Sequence, residues 1–98
     1  MKMVSLLDYS PIISDRLIGD EIYTKIKSTL TTGGPVTVDL DGIKSMATFC
    51  AKQIFGRLYL ELGSSEFFNQ IQLKNATDDV KTIIRIGIQN ALEERSAS

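Results

Sequence analysis

One stretch decides the fold: Val36-Thr37-Val38-Asp39-Leu40-Asp41-Gly42-Ile43, continued as far as Leu62. A short run of β-branched and apolar residues that ends in acidic residues and a glycine is typical of a buried strand entering an exposed loop. From Ala47 or Thr48 onward, the apolar residues share one helical face: Cys50, Ala51, Ile54, Phe55, Leu58 and Leu62. A strand, a polar turn and a long helix make the first half of a βαβ unit, whose function usually lies in the loop after the strand. Here that loop runs from Asp39 to Thr48.

The residues before this stretch predict another strand and helix. Val4–Leu7 is predicted as the first strand, and Ser14 or Asp15 as the N-cap of the first helix. The apolar face of that helix carries Leu17, Ile18, Ile22, Ile26 and Leu30.

The residues after the central helix predict a third pair. Between the central helix and this third strand, residues 64–69 are predicted to form a capped turn in which Phe67 and Phe68 fold back onto the core. Residues 71–73 alternate apolar and polar as a half-exposed strand does, and Thr77 is predicted as the N-cap of the last helix. That helix buries Val80, Ile83, Ile84, Gly87, Ile88 and Ala91.

The resulting order, β-α-β-α-β-α, predicts an α/β fold in which a small, mostly parallel sheet is packed with about three helices. We expect all 98 residues to form a single domain, with Leu92 and a polar tail of residues 93–98 fraying into solvent. A further strand in the first fifteen residues, or pairing with another subunit, would help to cover the sheet edges. Close packing of helix on sheet would explain the glycines inside predicted helices, Gly19, Gly56 and Gly87.

Composition excludes several function classes. A net charge of −1, from 11 basic and 12 acidic residues, gives no basic footprint for nucleic acid or for an anionic membrane. The chain shows neither the apolar segment of a signal peptide nor a run long enough to span a membrane. Without histidine, serine–histidine hydrolytic triads are excluded and a zinc site is not credible, and we expect no metal or other cofactor. The single cysteine, Cys50, suits a reducing cytosol and is predicted to be a buried structural thiol.

The loop after the second strand carries two carboxylates, Asp39 and Asp41. They could hold Mg²⁺, which favours a couple of carboxylates plus water and substrate oxygens. The structural alternative is that Asp39 accepts backbone amides and Asp41 begins the turn to Gly42. The structural interpretation is favoured because no basic, glycine-rich phosphate loop accompanies the pair.

Two further residues have a functional and a structural interpretation. Thr48, at the predicted start of the central helix, can act as a helix cap, as a phosphorylation site, or as both. A phosphate there would gain from the helix dipole and free amides. Arg16 can contact an anion at a helix start, or can be an ordinary solvated or salt-bridged arginine.

Several of these residues also carry a resemblance to a known family. They are Ser14-Asp15-Arg16, the segment 39–43, Met46, Thr48-Phe49, the helical segment 54–58 and the segment 67–75. They resemble the STAS-like domains of unknown function, relatives of anti-sigma factor antagonist domains, over nearly the whole chain from Val4 to about Leu92. In the antagonists, an aspartate and a phosphorylatable serine begin the corresponding helix, and a histidine-kinase-like ATPase binds and modifies that serine. In this sequence Ala47 stands at the aspartate position, Thr48 at the acceptor position, and Cys50 where glycine is usual.

The resemblance implies a bacterial, cytoplasmic, non-enzymatic signalling module that binds a regulatory protein, such as an anti-sigma factor or kinase-like ATPase. Thr48 is its candidate phosphoacceptor and Arg16 its candidate anion contact. The expected partner-binding residues are Asp39, Asp41, Gly42, Lys44, Ser45, Phe49 and Lys52. One alternative is a small-molecule or nucleotide-binding regulatory module that uses the same loop. A third is a structural subunit that forms a homodimer through a sheet edge.

Overall fold

The computed structural model describes residues 2–97, so Met1 and Ser98, the last residue of the predicted tail, lie outside the described residues. The strands are β1 (Lys2–Ser5), β2 (Ile12–Ile13), β3 (Val36–Asp39), β4 (Ser45–Met46) and β5 (Ile71–Lys74). The helices are α1 (Arg16–Thr31), α2 (Thr48–Ala51), α3 (Arg57–Leu62), α4 (Ser64–Gln70) and α5 (Asp78–Ala97). A 3₁₀ turn (Leu6–Asp8) follows β1, and a π-helical segment (Lys52–Gly56) joins α2 to α3. The mixed α/β fold predicted from the sequence is confirmed.

Three strands form a parallel sheet in the order β1-β3-β5. The face toward the helices buries Val4, Val36, Val38 and Ile71 in the main core. The register aligns Ser5, Asp39 and Lys74 at the carboxyl ends of the strands, so Asp39 lies in the middle of that edge. The two outer strands, β1 and β5, each leave one edge unpaired within this sheet.

A second, two-stranded parallel sheet pairs β2 with β4. The expected further strand in the first fifteen residues is therefore present as β2, but it does not cover an edge of the main sheet. The amides of Lys44 and Ala47 donate to the carbonyls of Pro11 and Ile13, both at 2.8 Å. These bonds fasten the loop after β3 to the segment that precedes α1.

The central helix, residues 48–62, consists of α2, the π-helical segment and α3 in succession. Its apolar residues Cys50, Ile54 and Leu58 recur every four positions and are fully buried. In an α-helix with 3.6 residues per turn, each four-residue step moves a side chain about 40° around the axis. The wider turn of the π-helical segment rotates side chains in the opposite direction, so it offsets this drift and keeps the three residues directed at the core.

Helix α5 crosses the central helix where both carry small residues. A Cβ atom on Gly87 would lie 2.6 Å from the backbone nitrogen of Lys52, and one on Gly56 would lie 2.9 Å from the carbonyl oxygen of Gly87. The expectation that these glycines permit close packing is confirmed, but the surface they approach is another helix and not the sheet. For Gly19 the neighbour is the side chain of Gln53 on the central helix.

Two predicted core residues are exposed instead. Leu17 has 76% of its surface accessible, because it lies about 140° around helix α1 from buried Ile22. Phe68 is 67% exposed while Phe67 is buried, because residues 64–70 form helix α4 and adjacent helical side chains point about 100° apart. Phe68 packs edge-on against the rings of Phe67 and Tyr59, with centroid distances of 5.5 and 6.1 Å.

The predicted frayed tail is also wrong, because α5 stays helical through Ala97 and includes Leu92. Thr77 begins this helix as predicted, since its hydroxyl accepts a hydrogen bond from the amide of Val80 at 3.2 Å. Near the other end, Glu94 forms an ion pair with Lys52 of the central helix. Within residues 2–97, no helix is both apolar enough and long enough to cross a membrane.

Candidate functional site

The central helix begins with Ala47 as its N-cap, in an extended conformation with φ −67° and ψ 142°. The Ala47 carbonyl accepts hydrogen bonds from the amides of Cys50 and Ala51, both at 3.0 Å. Thr48 is therefore the first helical residue, and the prediction that its side chain caps the helix is wrong. Within the part of the chain that the structure describes, its exposed side chain has no hydrogen-bonding partner.

Arg16 and Phe49 bring the starts of two helices together. Asp15 caps α1 as predicted, because its Oδ1 accepts from the amides of Leu17 at 2.7 Å and Ile18 at 3.3 Å. The next residue, Arg16, places its guanidinium carbon 5.1 Å from the centroid of the Phe49 ring, within the range of a cation–π contact. The Phe49 ring is held in this way although the residue is 42% exposed.

A groove of about 500 Å³ opens beside this pair, between the central helix and the second half of α5. Four of its nine lining residues are cationic and one is acidic. The lining residues are Arg16, Phe49, Lys52, Gln53, Arg57, Leu60, Ala91, Glu94 and Arg95. The ion pair between Lys52 and Glu94 links the two helices along one side.

Gln53 lines the groove and links the central helix to α1. Its side-chain Nε2 donates to the backbone carbonyl of Arg16 at 2.9 Å and so ties the start of α1 to the central helix. Its Oε1 is buried without a hydrogen-bond partner within residues 2–97. A Cβ atom on Gly19 would lie only 2.3 Å from this oxygen, so glycine is needed at that position to accommodate the amide where it lies.

A smaller depression beside the groove contains Thr48. It is lined by Thr48, Phe49, Lys52, Asn90, Glu93 and Glu94. Phe49 and Lys52 belong to both the groove and the depression, so a change at Thr48 acts on the same surface. Of the sequence-predicted site residues, Arg16, Thr48, Phe49 and Lys52 are thus brought together.

The other predicted site residues run from Asp39, the last residue of β3, to Ser45, the first residue of β4, and do not line the groove. Asp39 Oδ1 accepts from the Asp41 amide at 3.0 Å and from the Asn75 side chain at 3.1 Å. These two hydrogen bonds hold the pKa of the Asp39 carboxyl below its usual value. The structural interpretation of Asp39 and Asp41 agrees with these bonds. Among residues 2–97, no three acidic, cysteine or histidine side chains lie together in a way that could hold a metal ion.

The rest of this loop is fixed mainly through its backbone. Gly42 has a φ of +82°, and a Cβ atom there would lie 2.7 Å from a methyl carbon of Leu7. Lys44 is bonded through its amide to the segment before α1, and Ser45 pairs with Ile12 in the small sheet. The side chains of Asp41, Lys44 and Ser45 are exposed. They form a polar rim, separate from the groove residues.

Cys50 is buried, as predicted. Burial raises the pKa of its thiol, and the nearby charge of Asp15 acts in the same direction. The thiol contacts the backbone carbonyl of Asp15 at 3.6 Å. Its role is therefore in packing the start of the central helix against α1.

Sequence reasoning missed most of the groove. The missed residues are Gln53, Arg57, Leu60, Ala91, Glu94 and Arg95. They come together only because α5 crosses the central helix closely, and the small residues Ala51, Gly56, Gly87 and Ala91 were the sequence signal for that crossing.

Residues 19–81 match the family model described as a STAS-like domain of unknown function. The match spans more than half of the chain, so the chain belongs to this family, and the resemblance noted from the sequence is confirmed. The fold of this family is of a regulatory, non-catalytic type. No curated protein and no solved structure matches the chain. The groove draws on both the matched region and residues outside it, namely Arg16 and the second half of α5.

Proposed function

We propose that this chain is a non-enzymatic, cytoplasmic signalling module that binds a regulatory protein through the strand–loop–helix surface of residues 39–62. The observation that carries the proposal is Phe49, a large aromatic side chain held exposed at the start of the central helix by the Arg16 guanidinium. Aromatic residues and arginine are the side chains that most often dominate binding energy at protein interfaces. The polar rim of Asp41, Lys44 and Ser45, which precedes Phe49 in the same strand–loop–helix surface, would supply further contacts to the partner.

Phosphorylation of Thr48 is proposed as the switch. The Thr48 side chain is exposed and shares its depression with Lys52, Glu93 and Glu94. A phosphate adds nearly two negative charges, so it would be repelled by the two glutamates and would compete with Glu94 for Lys52. Such a change alters the charge of the binding surface beside Phe49 without disturbing the core.

The test is a pull-down from lysate of the source organism, read by mass spectrometry. The baits are the wild type, Thr48→Ala, Thr48→Glu and the control Thr24→Glu, which adds the same charge to an exposed position of α1 outside the surface. We expect one regulatory protein, such as a kinase-like ATPase, to be retained by all baits except Thr48→Glu. If no bait retains a specific protein, the proposal fails. If Thr48→Glu retains the protein to the same extent as the wild type does, phosphorylation of Thr48 is excluded as the switch, and only the proposed binding of a regulatory protein stands.

The groove favours a second candidate, a small-molecule or nucleotide-binding regulatory module. Its volume of about 500 Å³ lies within the usual range for ligand sites, and cationic side chains flank an exposed aromatic ring. Thermal unfolding with ATP, GTP or a cyclic nucleotide tests this candidate, because a ligand that binds only the folded state raises the melting temperature. The absence of any shift at millimolar nucleotide removes these nucleotides as candidates.

A further inference from the structure

The groove is long rather than compact. Along the central helix it extends from Phe49 to Leu60, a span of about 16 Å at 1.5 Å per residue. Its other wall is the stretch of α5 from Ala91 to Arg95. An extended peptide advances about 3.3 Å per residue, so about five residues would fill the groove from end to end.

The charge of the groove differs from that of the whole chain. The chain has a net charge of −1, whereas the groove is lined by Arg16, Lys52, Arg57 and Arg95 against Glu94 alone. Lys52 is paired with Glu94, and Arg57 lies 3.5 Å from Glu61. Within the described part of the chain, no carboxylate lies within ion-pair distance of Arg16, whose cation rests on the Phe49 ring.

Apolar surface lies between these charges. The Phe49 ring and the side chains of Leu60 and Ala91 line the same groove. Phe49 is 42% exposed, and the Arg57 guanidinium carbon is held 4.1 Å from the centroid of the Tyr23 ring. A side chain entering the groove therefore meets an apolar surface whose flanking cations are already positioned.

We infer that the groove binds an acidic segment of the partner protein, in which carboxylates flank one aromatic or large aliphatic side chain. The apolar side chain packs between Phe49 and Leu60, and the carboxylates pair with Arg16 and Arg57. A peptide fits this site better than a nucleotide because the lining residues extend about 16 Å along the central helix and alternate cationic with apolar side chains. The inference rests on the proposed function, since it assumes a protein partner and specifies the chemistry of the segment that is bound.

A random-peptide display library selected on the purified wild-type chain tests this inference without a known partner. We expect the enriched peptides to carry several aspartates or glutamates around an aromatic or leucine residue. One enriched peptide, labelled with fluorescein, then serves as the probe in fluorescence polarisation. Enrichment of basic or uncharged peptides, or no enrichment at all, overturns the inference.

The decisive variants are Arg16→Glu and Arg85→Glu, which make the same change of charge inside and outside the groove. Arg85 is exposed on α5 and does not line the groove. We expect Arg16→Glu to weaken binding of the probe peptide by about tenfold or more at low salt and Arg85→Glu to change it by less than about twofold. Equal effects of the two variants would mean that the charge of the whole chain, and not the groove, attracts the peptide.

The pull-down separates failure of this inference from failure of the proposed function. A partner that is lost with Thr48→Glu and with Phe49→Ala but retained by Arg16→Glu would support the proposed function and overturn the groove as its binding site. The absence of any specific partner would overturn both.

Discussion

The two sides of the central helix are built in opposite ways. On the side toward α5, backbone approaches backbone, because Gly56 and Gly87 leave no room for a side chain. On the side toward the groove, Phe49, Lys52 and Arg57 extend toward solvent from the same helix. A substitution on the first side forces the backbones apart, whereas one on the second side changes only what the surface can bind. Under the proposed function, stability thus depends on the residues of the crossing and binding on the residues that line the groove.

At the crossing of α5 and the central helix, the largest effect is expected from Gly87→Ala. A Cβ atom there would lie 2.6 Å from a backbone nitrogen and 2.7 Å from a backbone carbon of the central helix, neither of which can move alone. We expect the free energy of unfolding, measured by chemical denaturation, to fall by about 2–3 kcal/mol. If the crossing were loose, alanine would instead stabilise the helix by about 1 kcal/mol. The sign of the change in unfolding free energy therefore shows whether the two helices are tightly packed at Gly87.

Gly19→Ala is the matched control for this substitution. The Cβ atom at position 19 would meet only the end of the Gln53 side chain, which can rotate away. We expect a much smaller loss of stability, or a gain, because the helix-favouring effect of alanine is then offset only by the weakened Gln53 hydrogen bond. Equal losses for the two variants would contradict a special role for the α5 crossing.

Tyr23→Phe tests the contact between α1 and the central helix. The Tyr23 hydroxyl donates a hydrogen bond to Glu61 of the central helix, and Lys27 donates to the same carboxylate at 2.9 Å. Removing a hydrogen bond to a charged group is expected to lower the free energy of unfolding by about 1–2 kcal/mol. Tyr59→Phe is the control, since within residues 2–97 the Tyr59 hydroxyl has no hydrogen-bond partner.

The stability contributed by the hydrogen bond between Tyr23 and Glu61 depends on pH. Burial, together with the hydrogen bond to Glu61, raises the pKa of Tyr23 from 10.0 to about 12. The stabilising contribution is therefore complete below pH 10, where the unfolded tyrosine also keeps its proton, and it is lost as the pH rises through about 12. Denaturation at several pH values should show the difference between wild type and Tyr23→Phe narrowing over that interval. A difference that stays constant would contradict the pKa assignment.

Phe49→Ala separates binding from stability on the exposed surface of the central helix. Because the ring is 42% exposed and sits outside the buried core, we expect the free energy of unfolding to change by less than about 1 kcal/mol. Binding of the probe peptide should nevertheless fall by about tenfold or more, measured by fluorescence polarisation. Phe67→Ala is the contrasting control: Phe67 is buried, and its loss should cost about 3 kcal/mol or more. A large loss of stability with Phe49→Ala would mean that Phe49 serves mainly in packing and not in binding.

The smallest effect is expected for the ion pair between Lys52 and Glu94. Both side chains are well exposed, so a double-mutant cycle with alanine should give a coupling free energy of about 0.5 kcal/mol, decreasing with added salt. A control cycle combines Glu94→Ala with Lys81→Ala, about 20 Å earlier along α5, and should be additive. A coupling above about 2 kcal/mol would mean that this pair, and not the glycine crossing, holds α5 in place.

The order of strands and helices could be predicted because each element carries its own periodicity. The run of residues 36–40 and the helical face of Ile54 and Leu58 need no knowledge of the rest of the chain. Local chemistry also predicted the caps at Asp15 and Thr77. The prediction failed where a tertiary contact determines the start of a helix. Ala47, and not Thr48, is the N-cap of the central helix, because the Ala47 amide donates a hydrogen bond to the Ile13 carbonyl in a distant segment.

The site was predicted only in part, for a related reason. Thr48, Phe49 and Lys52 follow from the helix start, and Arg16 from the start of α1, but their meeting depends on the packing of two helices. The contribution of Arg95 and Glu94 could not be predicted because the polar C-terminal residues resemble a frayed tail in composition. They remain helical in a chain whose α5 is anchored at Gly87 and Ala91.

The π-helical segment has a consequence for comparing this chain with its relatives. A π turn contains one residue more than an α turn can place, so the residues before Lys52 and after Gly56 do not follow a single α-helical numbering. A relative with an uninterrupted α-helix would align with Phe49 or with Leu60, but would need a one-residue gap to align with both. Matching both Thr48 and Leu60 to such a relative therefore requires that gap to be placed inside residues 52–56, where sequence similarity alone gives no reason to open one.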